Sequence, residues 1–258
     1  MGRLDDRVAV VTGGGRGIGQ AIALRYAAEG ASVVISSRTR EDLEATLAAA
    51  GLGAARGLAV VANAMDPADA RRPVREAVAR FGRVDILVNN VGGTVGGVDP
   101  FAGDGDDDAF EKTLVLCLMS AWWTTTAALP TMRDQRYGRI VNIGSGASKH
   151  VGGSIPYTAG KHGLVGLTKQ LAADVAPHGI NVNLLCPGWT RTSLLDFARI
   201  AGRRGTTPEQ EEERACQENL QRRVLAPEEL TGMATLLAGE DGTGITGQVI
   251  SVDGGYKV

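Results

Sequence analysis

Short runs of β-branched residues alternate with longer alanine-rich segments along this chain. The runs RVAVVTG (7–13), ASVVISS (31–37), GLAVVAN (57–63), VDILVNN (84–90), GRIVNIG (138–144), INVNLLCPG (180–188) and GQVISVDGG (247–255) predict seven strands. They are nearly continuously apolar, as strands covered on both faces are. Helical patterns lie between them, over Gln20–Glu29, Arg40–Ala50, Ala68–Phe81, Phe110–Arg133, Tyr157–Ala176 and Pro227–Ala238. This alternation implies right-handed crossovers and an α/β fold, a parallel sheet with helices on both faces. No linker, repeat or break in composition divides the 258 residues, so the expectation is a single domain over 1–258.

Two segments depart from the rhythm. GDGDDDAF (103–110) is acidic, and Asp104, Asp106 and Asp108 alternate as calcium ligands do. Ala109 stands where such a loop needs glycine and Val115 where it needs glutamate, so carboxylates at a helix N-terminus are the better reading. The second, 191–226, is long, charged and arginine-rich, and is expected to be a partly helical lid.

Composition narrows the function classes. A hydrophobic fraction of 43% with 22% charged residues is that of a globular protein, and a net charge of −2 gives no footprint for nucleic acid. Three widely spaced cysteines, Cys117, Cys186 and Cys216, suit neither a metal site nor a disulfide framework and point to a reducing compartment. The start, MGRLDDRVAV, carries no apolar signal segment, and the apolar stretch near 114–123 is too short to span a bilayer. A cytoplasmic location, with no metal and no membrane contact, is therefore expected.

The first strand runs into TGGGRGIG, Thr12 to Gly19. It fits neither G-x-G-x-x-G nor the P-loop, yet Gly13, Gly17 and Gly19 lie between a strand end and a helix start. Glycines there permit a tight turn and close approach of backbone, and the helix N-terminus offers free N–H groups to a phosphate. Further along, YTAGK sets Tyr157 and Lys161 four residues apart, on one helical face.

These motifs resemble those of the short-chain dehydrogenases/reductases, including the 3-oxoacyl-ACP reductases. The family's T-G-x-x-x-G-x-G is matched by Thr12, Gly13, Gly17 and Gly19; NNVG (89–92) is similar to its N-N-A-G. NIGS (142–145) ends at the position of its serine, YTAGK (157–161) supplies its tyrosine and lysine, and CPGWTRT (186–192) and ITGQVISVDGG (245–255) follow in order. The resemblance implies a Rossmann-like doubly wound sheet of seven parallel strands, with a dinucleotide bound beyond the strand C-termini. It implies Ser145, Tyr157 and Lys161 as catalytic residues. The implied cofactor contacts are Gly13, Gly15, Arg16, Gly17, Ile18, Gly19, Ser37, Arg38, Asn63, Ala64, Asn90, Gly92, Tyr157, Lys161, Pro187, Thr190 and Thr192.

The chemistry is consistent with those residue types. Hydride transfer to a carbonyl leaves an alkoxide that must take up a proton, and oxidation must remove one. Phenols are poor bases at neutral pH, and a neighbouring ammonium favours their ionised form. Tyr157 is thus the expected acid and base, Lys161 its electrostatic partner and a holder of the nicotinamide ribose, and Ser145 the group that orients the substrate oxygen. His150 and His162 are not expected to take part. The family usually places an asparagine, which helps hold water in a proton relay toward the lysine, where this chain has Cys117, in FEKTLVLCLMS. A small buried residue with water held by backbone carbonyls is the expectation there, and slower turnover or a rerouted relay is the alternative.

At the tip of the second strand Ser37 and Arg38 replace the acidic residue of NAD-preferring relatives. Arg38 and Arg16 would pair with a 2′-phosphate, so NADP(H) is expected, with NAD(H) possible. The expected activity is interconversion of a small-molecule ketone or carbonyl compound and a secondary alcohol. NNVGGT and the missing asparagine also resemble the NAD-linked branch that oxidises cis-dihydrodiols of aromatic acids. A nucleotide-binding sensor without turnover is the alternative of another class, and a hydrolase is disfavoured because IGSGA lacks the G-x-S-x-G elbow. Arg191, Arg199, Arg203 and Arg204 could meet a substrate carboxylate, though a solvated lid face is the plainer account. Trp122 and Trp123 lie on the helix that family members use to form oligomers, so a homo-oligomer, tetramer or dimer, is expected.

Overall fold

The computed structural model describes residues 2–101 and 103–258. Seven strands form one parallel sheet: β1 Val8–Thr12, β2 Ser32–Ser37, β3 Gly57–Val61, β4 Ile86–Asn89, β5 Gly138–Ile143, β6 Ile180–Pro187 and β7 Val249–Val252. Their order is β3-β2-β1-β4-β5-β6-β7, with every pairing parallel. The order reverses between β1 and β4, where a crevice opens beyond the strand C-termini.

Side chains alternate across the sheet and build two apolar layers. Ala9, Val11, Val33, Ile35, Ile86 and Val88 face one way, toward α1 (Gly17–Ala28), α2 (Arg40–Ala49) and α9 (Thr231–Ala238). Val8, Val10, Val34 and Leu87 face the other, toward α3 (Pro67–Phe81), α5 (Ser120–Gln135) and α6 (Ile155–Val175). Tyr26 on α1 is fully buried and donates to the Ala234 carbonyl of α9 at 2.8 Å, joining two helices of one layer; burial pushes its phenol far up. Helix α3 shows how local sequence sets boundaries. Asp66 accepts from the N–H groups of Ala68 and Asp69, Pro67 occupies the first turn, and Gly82 ends the helix at φ +74°.

The segment expected as one helix over 110–133 is three pieces: α4 (Asp107–Leu114), a π turn (Val115–Met119) and α5. The stretch Asp107–Gln135 is 29 residues long with a mean hydropathy of 1.2 in its most apolar window, enough by length and composition to cross a membrane. The expectation that this region is too short for that is corrected: the helix continues through polar ends that the apolar run excludes. In this fold α5 lies on α3, β4 and β5, and α4 and the π turn lie on α6. Asp106 accepts the Asp99 N–H at 2.6 Å and Asp108 pairs with Lys112 at 2.6 Å; the side chain of Asp104 lies outside the described set. The 191–226 segment carries two helices, α7 (Phe197–Arg204) and α8 (Pro208–Gln217), in keeping with a partly helical insertion.

At the opposite end of the sheet, fully buried Asp85 accepts from the Val8 N–H at 2.9 Å and from two nitrogens of Arg83 at 2.8 and 2.6 Å. That bond holds the Arg83 guanidinium above its ordinary value. Asp85→Ala strands a buried donor and removes the anion that Arg83 and Arg7 face. The expected result is a loss of about 2–3 kcal/mol in urea denaturation, with the slope of the transition unchanged.

Candidate active site

The glycine loop is fastened to the β1–β4 junction by side chains that replace missing strand partners. Thr12 donates to the Val88 carbonyl at 3.3 Å and accepts from the Asn90 N–H at 3.0 Å. The Asn90 amide donates to the carbonyls of Thr12 and Gly13, at 3.0 and 3.2 Å. Gly13 and Gly17 have φ of +66° and +57°, and a Cβ at Gly19 would overlap the Gly13 carbonyl and sit 2.5 Å from the Asn90 amide nitrogen. Helix α1 therefore starts at Gly17, three residues before the sequence pattern becomes helical, and Arg16 at its N-cap makes no side-chain cap. Its first N–H groups remain to receive an anion. Ile18 packs its side chain on the apolar layer, so only its backbone can serve the cradle.

The second strand brings Ser37 to this loop. Ser37 closes a local turn with Thr39, donating to its carbonyl at 3.0 Å and accepting its N–H at 3.2 Å, while Arg16 and Arg38 are both exposed. Gly15 lies against Ser37 and against Asp42 of α2; a Cβ at Gly15 would stand 2.9 Å from that of Asp42. A carboxylate residue absent from the strand tip thus comes to the loop one helical turn later. Ser37, Ala62, Ala64 and Val91 line one crevice beside Thr12. Asn63 is held beside it by Asp69, whose carboxylate accepts the Asn63 N–H at 2.9 Å. On the far side, Thr192 comes within 3.2 Å of where a Cβ of Gly17 would be, and Thr190 pairs with Leu225 beyond Pro187.

At the ends of β4 and β5 the cradle meets a polar cluster. Lys161 is 3% exposed, and its ammonium donates to the Ile143 carbonyl at 2.8 Å. It lies under Gly92, where a Cβ would approach Nζ to 2.9 Å, and 5.8 Å from the centre of the Tyr157 ring. Tyr157 needs its own glycine: Gly153, at φ +76°, leaves room that a Cβ would close to 2.8 Å from the ring. Ser145 caps a short 3-10 turn, accepting the Ala147 N–H at 3.1 Å, which leaves its O–H to donate. Nearby Cys186 is buried, and burial pushes its thiol up. His162 donates from Nδ1 to the Thr158 carbonyl on an exposed face, and His150 stacks edge-on to Tyr256.

Cys117 sits at the centre of the π turn, fully buried, and its thiol donates to the Gly93 carbonyl at 3.1 Å. Across from it Gly160 admits α6 so closely that a Cβ there would be 2.9 Å from that of Cys117. Among the four arginines of the 191–226 segment, Arg191 pairs with Glu212 and Arg204 with Glu211, which favours a solvated face over a substrate contact for those two.

Sequence reasoning missed a buried polar network behind the site. The Asn89 amide donates to Asn142 at 2.8 Å and Thr125 at 3.0 Å, Thr124 donates to Asn89, and Asn142 donates to Thr168 at 2.9 Å. The signal was present: asparagines inside otherwise continuously apolar strands need buried partners.

The sequence model for the short chain dehydrogenase family matches residues 7–200. The chain is similar to human dehydrogenase/reductase SDR family member 4, 36% identical over 98% of this chain and 88% of that protein. It is similar to 1,6-dihydroxycyclohexa-2,4-diene-1-carboxylate dehydrogenase of Acinetobacter baylyi, 32% identical over 98% and 97%. Among solved structures, levodione reductase superposes with a TM-score of 0.89 at 31% identity, covering 98% of both chains.

The loop geometry gives a direct expectation. Gly19→Ala pushes the new methyl group into the Gly13 carbonyl and the Asn90 amide. Dinucleotide affinity, followed by fluorescence titration, is expected to fall by about tenfold or more, the loss of a well-placed phosphate cradle.

Proposed function

Because the chain belongs to the short-chain dehydrogenase family, whose members are NAD(P)(H)-dependent oxidoreductases acting on CH–OH groups, we propose that it interconverts a ketone and a secondary alcohol with NADP(H). Catalysis by Ser145, Tyr157 and Lys161 is part of that reading. What carries it is the buried ammonium of Lys161, anchored on Ile143 and set beside the Tyr157 ring at the mouth of the glycine cradle.

The cradle suits a dinucleotide: glycines that no Cβ could replace, and bare N–H groups at the start of α1. In this reading Gly13, Gly15, Arg16, Gly17, Ile18 and Gly19 hold the pyrophosphate. Ser37 and Arg38 hold the adenosine ribose, and Asn63 and Ala64 the base. Asn90, Gly92, Tyr157 and Lys161 hold the nicotinamide half, closed from the β6 side by Pro187, Thr190 and Thr192. The bound dinucleotide supplies or accepts the hydride. Ser145 donates its hydroxyl to the substrate oxygen and fixes its direction. Tyr157 gives that oxygen a proton in reduction and takes it back in oxidation. Lys161 keeps a positive charge close by, offsetting the negative charge that develops as the proton moves. The 191–226 segment closes over the substrate.

The choice of NADP(H) rests on two exposed arginines, Arg38 next to Ser37 in the chain and Arg16 next to the Gly15 that lies against Ser37. A second reading, an NAD-linked cis-dihydrodiol dehydrogenase of an aromatic acid, is supported by Asp42 beside Gly15 and by the similarity to the Acinetobacter enzyme. Membership of an enzyme family removes the support for a sensor without turnover. A homo-oligomer belongs to the same proposal: Leu118, Met119, Trp122, Gly163, Gly166 and Leu167 line an apolar groove on the outer face of the π turn, α5 and α6. A second copy would bury the half-exposed Trp122, and sedimentation of the intact protein tests this. A cytoplasmic location is in keeping with the three free cysteines.

A panel of ketones and secondary alcohols, assayed in both directions at the nicotinamide absorbance band, tests the reaction class. Tyr157→Phe is expected to lower kcat by roughly 10³-fold or more while dinucleotide affinity changes little; undiminished turnover would falsify the proton-transfer role. For the cofactor, kcat/KM is expected to be at least about tenfold higher with NADPH than NADH, and Arg38→Asp to reverse the order. A wild-type preference for NADH overturns the NADP(H) assignment, and turnover of a cis-dihydrodiol of an aromatic acid in place of simple alcohols selects the second reading.

A further inference from the structure

The last residues of the chain lie between two parts of the site. After β7, Asp253 turns the backbone: its carboxylate accepts the N–H groups of Gly255 at 3.0 Å and Tyr256 at 3.3 Å, and Gly254 and Gly255 have φ of +69° and +79°. This turn drives the Tyr256 ring into the loop that links Ser145 to α6. The ring is 6% exposed and fills the space over Gly146, where a Cβ would stand 2.5 Å from Cδ1. It meets His150 edge-on at 6.0 Å between centroids, and the Lys257 ammonium donates to the Val151 carbonyl at 2.9 Å.

The same residues form a short antiparallel ribbon with the end of the lid. Asn219 pairs with Tyr256; the Leu220 and Gln221 N–H groups donate to Gly255 and Gly254, each at 3.1 Å, and the Lys257 N–H donates to Glu218 at 2.9 Å. From Glu218 the connection continues into the lid base, because its carboxylate accepts the Trp189 indole N–H at 2.8 Å and pairs with Arg214 at 2.7 Å. One tail thus grips residues 218–221 by its backbone and the 146–152 loop by its ring and lysine.

We propose that Tyr256 is a positioning residue that couples the lid to the Ser145 loop, so that movement of residues 218–221 over a substrate resets the serine through the aromatic ring. The inference rests on the functional reading of Ser145. Its physical basis is that a close-packed ring transmits displacement, whereas the backbone ribbon alone does not reach the serine loop. The ring is the coupling element, so the hydroxyl is dispensable.

Hydrogen–deuterium exchange of the intact protein, with and without NADPH, tests this independently of turnover. In Tyr256→Ala, amides of 146–152 and of 218–221 are expected to exchange faster together, and in Tyr256→Phe neither set changes. Kinetically, Tyr256→Ala is expected to lower kcat by about tenfold with the NADPH Kd within about twofold, and Tyr256→Phe to restore it. Lys257→Met, a surface change, gives a smaller effect of the same pattern and serves if Tyr256→Ala does not fold. Faster exchange on one side only, no change on either, or a Phe variant that behaves like Ala overturns the proposal. Wild-type protein that turns over nothing on the panel sinks the functional reading instead, and the exchange result still decides whether the two segments are coupled.

Discussion

A positive charge with almost no exposure governs the architecture around the site. The Lys161 ammonium must have acceptors, because an unpaired buried charge is too costly to keep. The Ile143 carbonyl, at the C-terminal end of a central strand, supplies one. Meeting that demand fixes how deeply α6 enters the sheet end. It also requires Gly92 to carry no side chain and places Tyr157 at the opening of the cradle. Tyrosine, lysine and glycine loop are thus mutually positioned by one buried cation and the backbone left bare to receive it.

The layer behind that cation is polar where a parallel sheet is usually apolar. Asn89 and Asn142, on neighbouring strands, bond each other and three threonines from α5 and α6. Each amide has defined partners and a defined direction, so the network fixes both helices against the sheet in one register, which aliphatic packing alone specifies less sharply. Because α6 carries Tyr157 and Lys161 and α5 continues from the π turn, this network sets the distance between the two sides of the site.

Cys117 acquires its meaning from the same geometry. The π turn puts one extra residue into the helix, and the thiol at its centre bonds the loop that follows β4. A thiol offers one weak donor where an asparagine offers an amide with donors and an acceptor. The thiol makes its tie to Gly93 in a small volume, and Gly160 lets α6 close onto it.

The strands, their parallel arrangement, the glycine loop and the placing of Tyr157 and Lys161 on one helical face were legible in the sequence, because each is encoded by residues close together along the chain; Ser145 was singled out only by the family resemblance. Alternation of element types dictates a parallel sheet, a strand-to-helix glycine run dictates a cradle, and a spacing of four dictates a shared helical face. Helix ends and long-range contacts were not legible. The start of α1 at Gly17 and the π turn depend on what packs against those residues, and the approach of Asp42 to Gly15 depends on how α2 folds back on the loop. The junction of the C-terminal tail with the lid and the serine loop brings together residues about a hundred positions apart, as in the Lys257–Val151 bond. Periodicity reports only which face of an element is buried; which distant side chain fills the space is decided by close packing of the whole chain.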